Sequence, residues 1–152
     1  GLIDIYLPDC KFFDSDISDK YAGAKDYFRI ASAAIEEMVS QAGTPVFEYK
    51  TGNMKKGVIV RHLVLPGHTK DSMEILKYLY ETYKNQIYVS IMNQYTPVIQ
   101  QDKYPNLNRR VTKREYQKVV DYALSLGMEN AFIQEGHTAQ ESFIPNFDCS
   151  FL

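Results

Sequence analysis

Apolar positions along this chain switch between two periods. Residues 2–7 (LIDIYL), 57–65 (GVIVRHLVL), 87–92 (IYVSIM) and 131–134 (AFIQ) are short runs rich in β-formers, which predict four strands. Pro8 is expected to end the first strand, and Pro66-Gly67 to turn the chain after the second. Between strands, Tyr27, Ile30, Ala31, Ala34, Ile35 and Met38 recur at three- and four-residue steps. Met73, Ile75, Leu76, Leu79, Tyr80 and Tyr83 do the same. Each set predicts an amphipathic helix with one inward stripe. Gly43 and Pro45 close the first of these, and Thr69 is expected to cap the second. Thr112, with Glu115 three residues on, predicts a capping box for a helix through Leu126, with Gly127 at its end. Residues 17–21 read as one helical turn, and 47–56 as a small hairpin around Thr51-Gly52-Asn53. Residues 136–152 show no period.

The predicted order is strand, helix, strand, helix, strand, helix, strand. Connections of that length call for parallel strands joined by right-handed crossovers. Four such strands make either an open three-layer sheet or half of a β/α barrel. Both bind ligands at the carboxyl ends of the strands. That rule singles out residues 9–11, 61–67, 93–96 and 134–137. A polar loop of about twenty residues follows the third strand, long enough to carry a function.

Composition narrows the classes. The chain has 152 residues, enough for one domain that buries about 68–70 % of its unfolded surface. A net charge of −2 gives no reason to expect a nucleic-acid or anionic-membrane partner. No apolar run is long enough to span a bilayer. Cys10 and Cys149 form no CxxC pair and no zinc spacing, and read as reduced thiols of a cytoplasmic protein. The abrupt, strand-like start suggests a fragment of something longer. The twelve tyrosines fall largely in amphipathic helices, as buried rings with wet hydroxyls.

Candidate chemistry clusters at the strand ends. Alternation puts Asp9 and Lys11 on one face, as a solvated ion pair or a clamp for a zwitterion. Arg61 lies inside an apolar strand, where a charge is costly unless paired or liganded. It shares a face with Ile59, Leu63 and Leu65, and its permanently charged fork suits a carboxylate or phosphate. His62 falls on the opposite face, packed between strand and helix. Asn93, Gln94 and Tyr95 suit hydrogen-bonded recognition but supply no nucleophile or strong base. Glu135 and His137 are a weak signal of acid–base work. There is no GxGxxG, P-loop, nucleophile elbow or HExxH. The residues alone therefore describe a parallel α/β ligand binder.

The stretches LIDIYLPDCK (2–11), KKGVIVRHLVLPGH (55–68), YVSIMNQYTP (88–97), AFIQEG (131–136) and ESFIPNFD (141–148) resemble, in order and spacing, the radical S-adenosylmethionine (SAM) proteins related to pyruvate formate-lyase-activating enzyme. The resemblance implies that residues 1–152 are the C-terminal half of a partial (β/α)6 TIM-like barrel whose N-terminal half is absent. In that family an N-terminal CxxxCxxC binds a 4Fe-4S cluster. Reductive cleavage of SAM then gives a 5′-deoxyadenosyl radical, which abstracts hydrogen from a glycyl radical enzyme or another protein substrate. By position, Asp9, Lys11 and Arg61 match the family's SAM and substrate pocket, and Asn93 and Gln94 stand where the activating enzymes carry a histidine near SAM. Cys10 does not match a cluster ligand, and no CxxxCxxC occurs. The fragment alone is thus expected to bind no cluster and to be inactive. The alternative reading is a non-catalytic α/β ligand-binding or partner-docking module. A barrel cut in half would leave the edge of residues 2–7 unpaired beside Ile3, Ile5 and Leu7, which favours a homodimer over cover by residues 142–152.

Overall fold

The protein, described by a computed structural model over residues 2–97, 100 and 102–134, is built around one long strand. Nine elements carry the fold. They are β1 (Ile5–Tyr6), α1 (Ser15–Ala22), α2 (Tyr27–Ala42), β2 (Val46–Phe47), β3 (Met54–Leu63), α3 (Thr69–Tyr83), β4 (Tyr88–Met92), α4 (Lys113–Ser125) and β5 (Ala131–Ile133). The sheet order is β1-β3-β4-β5, all parallel, with β2 pairing antiparallel to the start of β3. The predicted α/β class and the hairpin into β3 are both present.

Alternation along β3 sets the layers. Val58, Val60, His62 and Val64 are buried. The three valines join Val89, Ile91 and Ala131 of the neighbouring strands in one core with Ile35 of α2, Ile75, Leu76 and Leu79 of α3, and Val119 and Val120 of α4. The helices therefore cover one face. Ile59, Arg61 and Leu63 point to the other, opposite Tyr88, Ser90 and Met92 in register. There Phe47, Tyr88 and Phe132 form a row of rings, with Phe47–Tyr88 centroids 5.3 Å apart and Tyr88–Phe132 stacked at 5.4 Å. Among the described residues no helix is long and apolar enough to cross a membrane.

Several boundaries differ from the sequence pattern for identifiable reasons. The first strand ends at Tyr6, ahead of Pro8 as the sequence predicts, but pairing resumes past the proline as an isolated parallel bridge between Asp9 and Arg61. Arg61 N–H donates to Pro8 O at 2.8 Å and Cys10 N–H to Arg61 O at 2.9 Å, because in a parallel ladder Pro8 needs only its carbonyl there. The turn expected at 17–21 is a two-turn helix, since Asp14 caps it by accepting from Asp16 and Ile17 N–H, and Gly23 closes it. Thr69 is the first helical residue of α3, and His68 holds the cap position without a side-chain capping bond, its Nε2 lying 2.7 Å from the Tyr21 hydroxyl instead. The stripe of α3 buries Asp71 and Ser72 as well as Ile75, Leu76, Leu79 and Tyr83.

The capping box of α4 is present as the sequence predicts, and it reaches further. Glu115 accepts from Thr112 N–H at 2.9 Å, pairs with Arg109, and accepts from Gly67 N–H at 2.9 Å. Gly67 has φ +79° in the Leu65–His68 turn, a conformation that suits glycine. The Arg109 guanidinium, first, and these N–H donors hold the Glu115 carboxyl well below the usual carboxylate range. Thr112→Ala removes the reciprocal cap and is expected to cost about 1 kcal/mol, measured as a lower urea midpoint at unchanged slope.

Candidate functional site

Residues 8–14 leave β1 along the carboxyl end of the sheet and are pinned there from both sides. On the helix side, His62 is 1 % exposed, with Nδ1 2.8 Å from Cys10 O and Nε2 2.8 Å from Ser72 Oγ. A carbonyl only accepts, so Nδ1 carries the proton and Ser72 donates to Nε2. This assigns a neutral ring of one tautomer. Burial lowers the His62 pKa to about 4, against the hydrogen bond to Cys10 O, which raises it. Cys10 itself is buried, and burial followed by the Asp71 charge pushes its thiol up to about 12. Asp71 accepts from Asp14 N–H at 2.7 Å and Phe13 N–H at 3.1 Å. Burial raises its pKa while these donors lower it. Tyr27 of α2 completes the clamp, accepting from Lys11 N–H at 3.0 Å and donating to Asp9 O at 3.2 Å.

Because Cys10 points inward, Asp9 and Lys11 point to the open face. Asp9 is bridged in parallel to Arg61, so their side chains are cross-strand neighbours. Arg61 Nη2 lies 2.7 Å from Asp9 Oδ1, and Lys11 Nζ lies 3.4 Å from Asp9 Oδ2. The Arg61 contact is not aligned as a hydrogen bond, and Oδ1 is buried without a donor among the described residues. Asp9, Lys11, Arg61, Leu63, Met92 and Gln94 together line a shallow cavity of about 160 Å³. It has two cations, one carboxylate and an amide over an apolar floor.

Four of the five residues selected from the sequence thus meet in one place. Asn93 lies elsewhere, its Nδ2 donating to Gln134 O at 3.1 Å. With Tyr116, whose hydroxyl donates to Ile91 O at 2.7 Å and accepts from Gln134 N–H at 2.8 Å, it ties the ends of β4 and β5 together. Glu135, His137 and Cys149 fall outside the described residues. Sequence reasoning missed Met92 in the cavity and Ser72 behind it. Ser72 had a signal, since the step 72, 75, 76, 79 puts it on the inward stripe of α3 opposite a buried strand histidine.

The cavity offers charge recognition. Asp9 is its one carboxylate, already flanked by both cations. Among the described residues no group of three or more His, Cys, Asp or Glu lies close enough to hold a metal, and Cys10 is the free cysteine, buried.

No family model and no solved structure matches the chain. It is 28% identical over 124 residues to an uncharacterized protein of Methanocaldococcus jannaschii. That alignment covers 81% of this chain and 32% of the archaeal protein, so the chain spans about a third of the length of the curated relative it matches.

The His62 network has a pH signature. The unfolded ring titrates near 6.5 and the folded one near 4, so between these values the unfolded chain binds a proton that the folded chain refuses. Stability contributed by His62 is therefore full above pH 6.5 and falls on acidification towards pH 4, by up to about 3 kcal/mol. Urea unfolding of wild type and His62→Gln at pH 7.5 and pH 4 checks this. The wild type should lose more stability between the two than the variant does.

Proposed function

We propose that residues 1–152 are the C-terminal part of a larger radical SAM enzyme, of the type related to pyruvate formate-lyase-activating enzyme, in which Asp9, Lys11, Arg61 and Gln94 form one wall of the SAM and substrate site. The observation that carries the reading is the convergence of these four side chains at the carboxyl ends of consecutive parallel strands, on the face free of helices among the described residues. Sequential strand order with helices on one face is the arrangement of a β/α barrel, whose interior would be that face. The finer assignment, the last three units of a (β/α)6 barrel, is part of the proposal. So is a glycyl radical enzyme, or another protein, as the substrate. A relative about two and a half times as long is compatible with a chain that is one portion of a larger protein. A cytoplasmic location accompanies the reading, because an iron–sulfur enzyme of this kind works in a reducing compartment.

The cavity fits SAM in part. Arg61 and Lys11 suit its carboxylate, Asp9, ion-paired with Arg61 through an Oδ1 that receives no aligned hydrogen bond, suits its ammonium once Arg61 turns to the carboxylate, and the Gln94 amide suits a ribose or purine edge. The chemistry that bound SAM supplies in this family is hydrogen-atom abstraction. These residues would bind and orient it. The 4Fe-4S cluster does not fit the described residues. Cys10 is buried and its thiol is held at about 12, the reverse of what a thiolate ligand requires. Cluster ligands would have to come from elsewhere in a longer chain.

A non-catalytic α/β ligand-binding or partner-docking module is the second reading. It is favoured by the pairing of Asp9 with both cations, which leaves no free base in the cavity.

Two measurements test the first reading. With one wall of the site present, SAM should bind the 152-residue chain with a millimolar constant, about −4 kcal/mol, and Arg61→Ala should abolish binding. An NMR titration that moves the amides of Asp9, Lys11, Arg61 and Gln94 supports this. Unmoved signals at several times that concentration overturn it. Anaerobic reconstitution with iron and sulfide should leave the chain without a stoichiometric cluster. A charge-transfer absorption with matching iron content would contradict that.

A further inference from the structure

Tyrosine hydroxyls in this chain have two kinds of partner. Those of Tyr6, Tyr27, Tyr95 and Tyr116 donate to oxygens, namely the Gln41 amide and the backbone carbonyls of Asp9, Leu107 and Ile91. Such oxygens accept a hydrogen bond but do not take up a proton at neutral pH. Tyr21, in the last turn of α1, differs. Its hydroxyl lies 2.7 Å from Nε2 of His68, the residue that precedes α3. Burial lowers the His68 pKa below 6.5, with the Asp71 and Glu115 carboxylates opposing the shift and the Lys20 ammonium adding to it. The ring is therefore neutral at pH 8. A phenol O–H is a stronger donor than an imidazole N–H, which makes Tyr21 the donor and Nε2 the acceptor. Burial, and then the neighbouring Tyr104 and Tyr95 phenols, keep the Tyr21 hydroxyl from ionising by itself.

Other rings surround the pair. Tyr21 meets Tyr104 edge-on at 5.1 Å and His68 at 5.2 Å. Phe12 stands between Tyr21 and Tyr27, with centroids at 6.5 and 5.4 Å, and the Tyr27 hydroxyl holds the backbone of Asp9 and Lys11. A run of ring contacts thus leads from the segment that carries the cavity's charges to the loop after β4. Lys20 Nζ lies 5.4 Å from the Tyr21 centroid and 5.9 Å from that of Tyr104. A positive charge there favours the neutral ring and opposes loss of an electron that would leave a radical cation. Electron loss at Tyr21 must therefore be accompanied by proton loss, and His68 is within hydrogen-bond reach as the base.

We propose that Tyr21 and His68 form a redox site, at which a one-electron, outer-sphere oxidant converts the Tyr21 phenol to a neutral tyrosyl radical. The phenolic O–H bond breaks, its proton passes to Nε2 as a new N–H bond, and the electron passes to the oxidant. The products are the tyrosyl radical, the His68 imidazolium and the oxidant reduced by one electron. Return of one electron carries the proton back and restores the pair. The site uses none of the residues that line the cavity, so it stands or falls apart from the catalytic reading above.

The oxidant for the test is tris(bipyridine)ruthenium(III), generated by light in the presence of persulfate, and the readout is electron paramagnetic resonance of rapidly frozen samples. At pH 8 the wild-type chain should give a long-lived neutral tyrosyl signal. Tyr21→Phe keeps the ring beside Tyr104 and should lower the yield roughly tenfold or more, whereas Tyr49→Phe, at an exposed ring, should leave it unchanged. His68→Gln keeps an acceptor for the hydroxyl but supplies no base, and should lower the yield as far as Tyr21→Phe does. The pH dependence needs no variant. A protonated His68 cannot take a second proton, so the wild-type yield should be full at pH 8 and fall on acidification through the His68 pKa, which lies below 6.5. An undiminished signal in Tyr21→Phe, equal yields from His68→Gln and wild type at pH 8, or a wild-type yield unchanged between pH 8 and pH 5 overturns the proposal.

Discussion

The bonding of residues 8–10 to Arg61 is the constraint on which the rest of this structure depends. Pro8 cannot donate, so a strand entering it would be expected to peel away from the sheet. Two backbone bonds through Arg61 carry the pairing past it. The carbonyl of Cys10 is then fixed by His62 and, through His62, by Ser72 of α3. One strand, one helix and the start of the loop into α1 are locked at a single buried ring. Once Cys10 is turned inward, Asp9 and Lys11 have no choice of face, and Arg61, the residue next to His62, is their neighbour.

Magnitudes separate what holds the site from what the site presents. Asp9, Lys11 and Arg61 are each a third to a half exposed on their side chains. Ion pairs of that kind contribute about 0–1 kcal/mol. They do not secure the loop. A buried, fully bonded imidazole is different, since leaving either nitrogen unpaired would cost about 1–3 kcal/mol. Asp71 adds acceptors for two backbone N–H groups of the same loop. The charged groups are therefore carried on a frame that does not need their attraction, and Asp9 and Arg61 remain available to exchange each other for a ligand.

Much of this frame could be read in the sequence, for reasons that are local. VIVRHLVL has a period of two, and that alone put Arg61 and His62 on opposite faces, with His62 between strand and helix. Thr112 and Glu115 are three residues apart, so their reciprocal cap needs no knowledge of the fold. Asp9, Lys11, Arg61 and Gln94 were legible because strand ends converge in any parallel sheet. What escaped depends on long-range partners. Continuation past Pro8 is decided by which side of the ladder Pro8 faces. The second role of Glu115, accepting from Gly67, joins residues 48 apart in sequence. Asn93 looked like Gln94 from composition, and only the position of Gln134 beside it turns it into a tie between strands.

One feature of the sheet resists its own rules, and it bears on how the cavity would work. Parallel sheets are ordinarily covered on both faces, whereas the described helices here cover one. The other face carries Ile59, Leu63, Met92 and the Phe47–Tyr88–Phe132 row beside Arg61 and Asp9. Without a further layer this face is wet. Closure into a barrel would cover face and edge together. The two differ for the charges as well. On a wet face the attraction of Arg61 and Lys11 for an anion is screened to about 1 kcal/mol at 4 Å, and under a second layer it grows several-fold as the effective dielectric falls. A cluster of charges on an open face is therefore expected to bind weakly while exposed and tightly once covered.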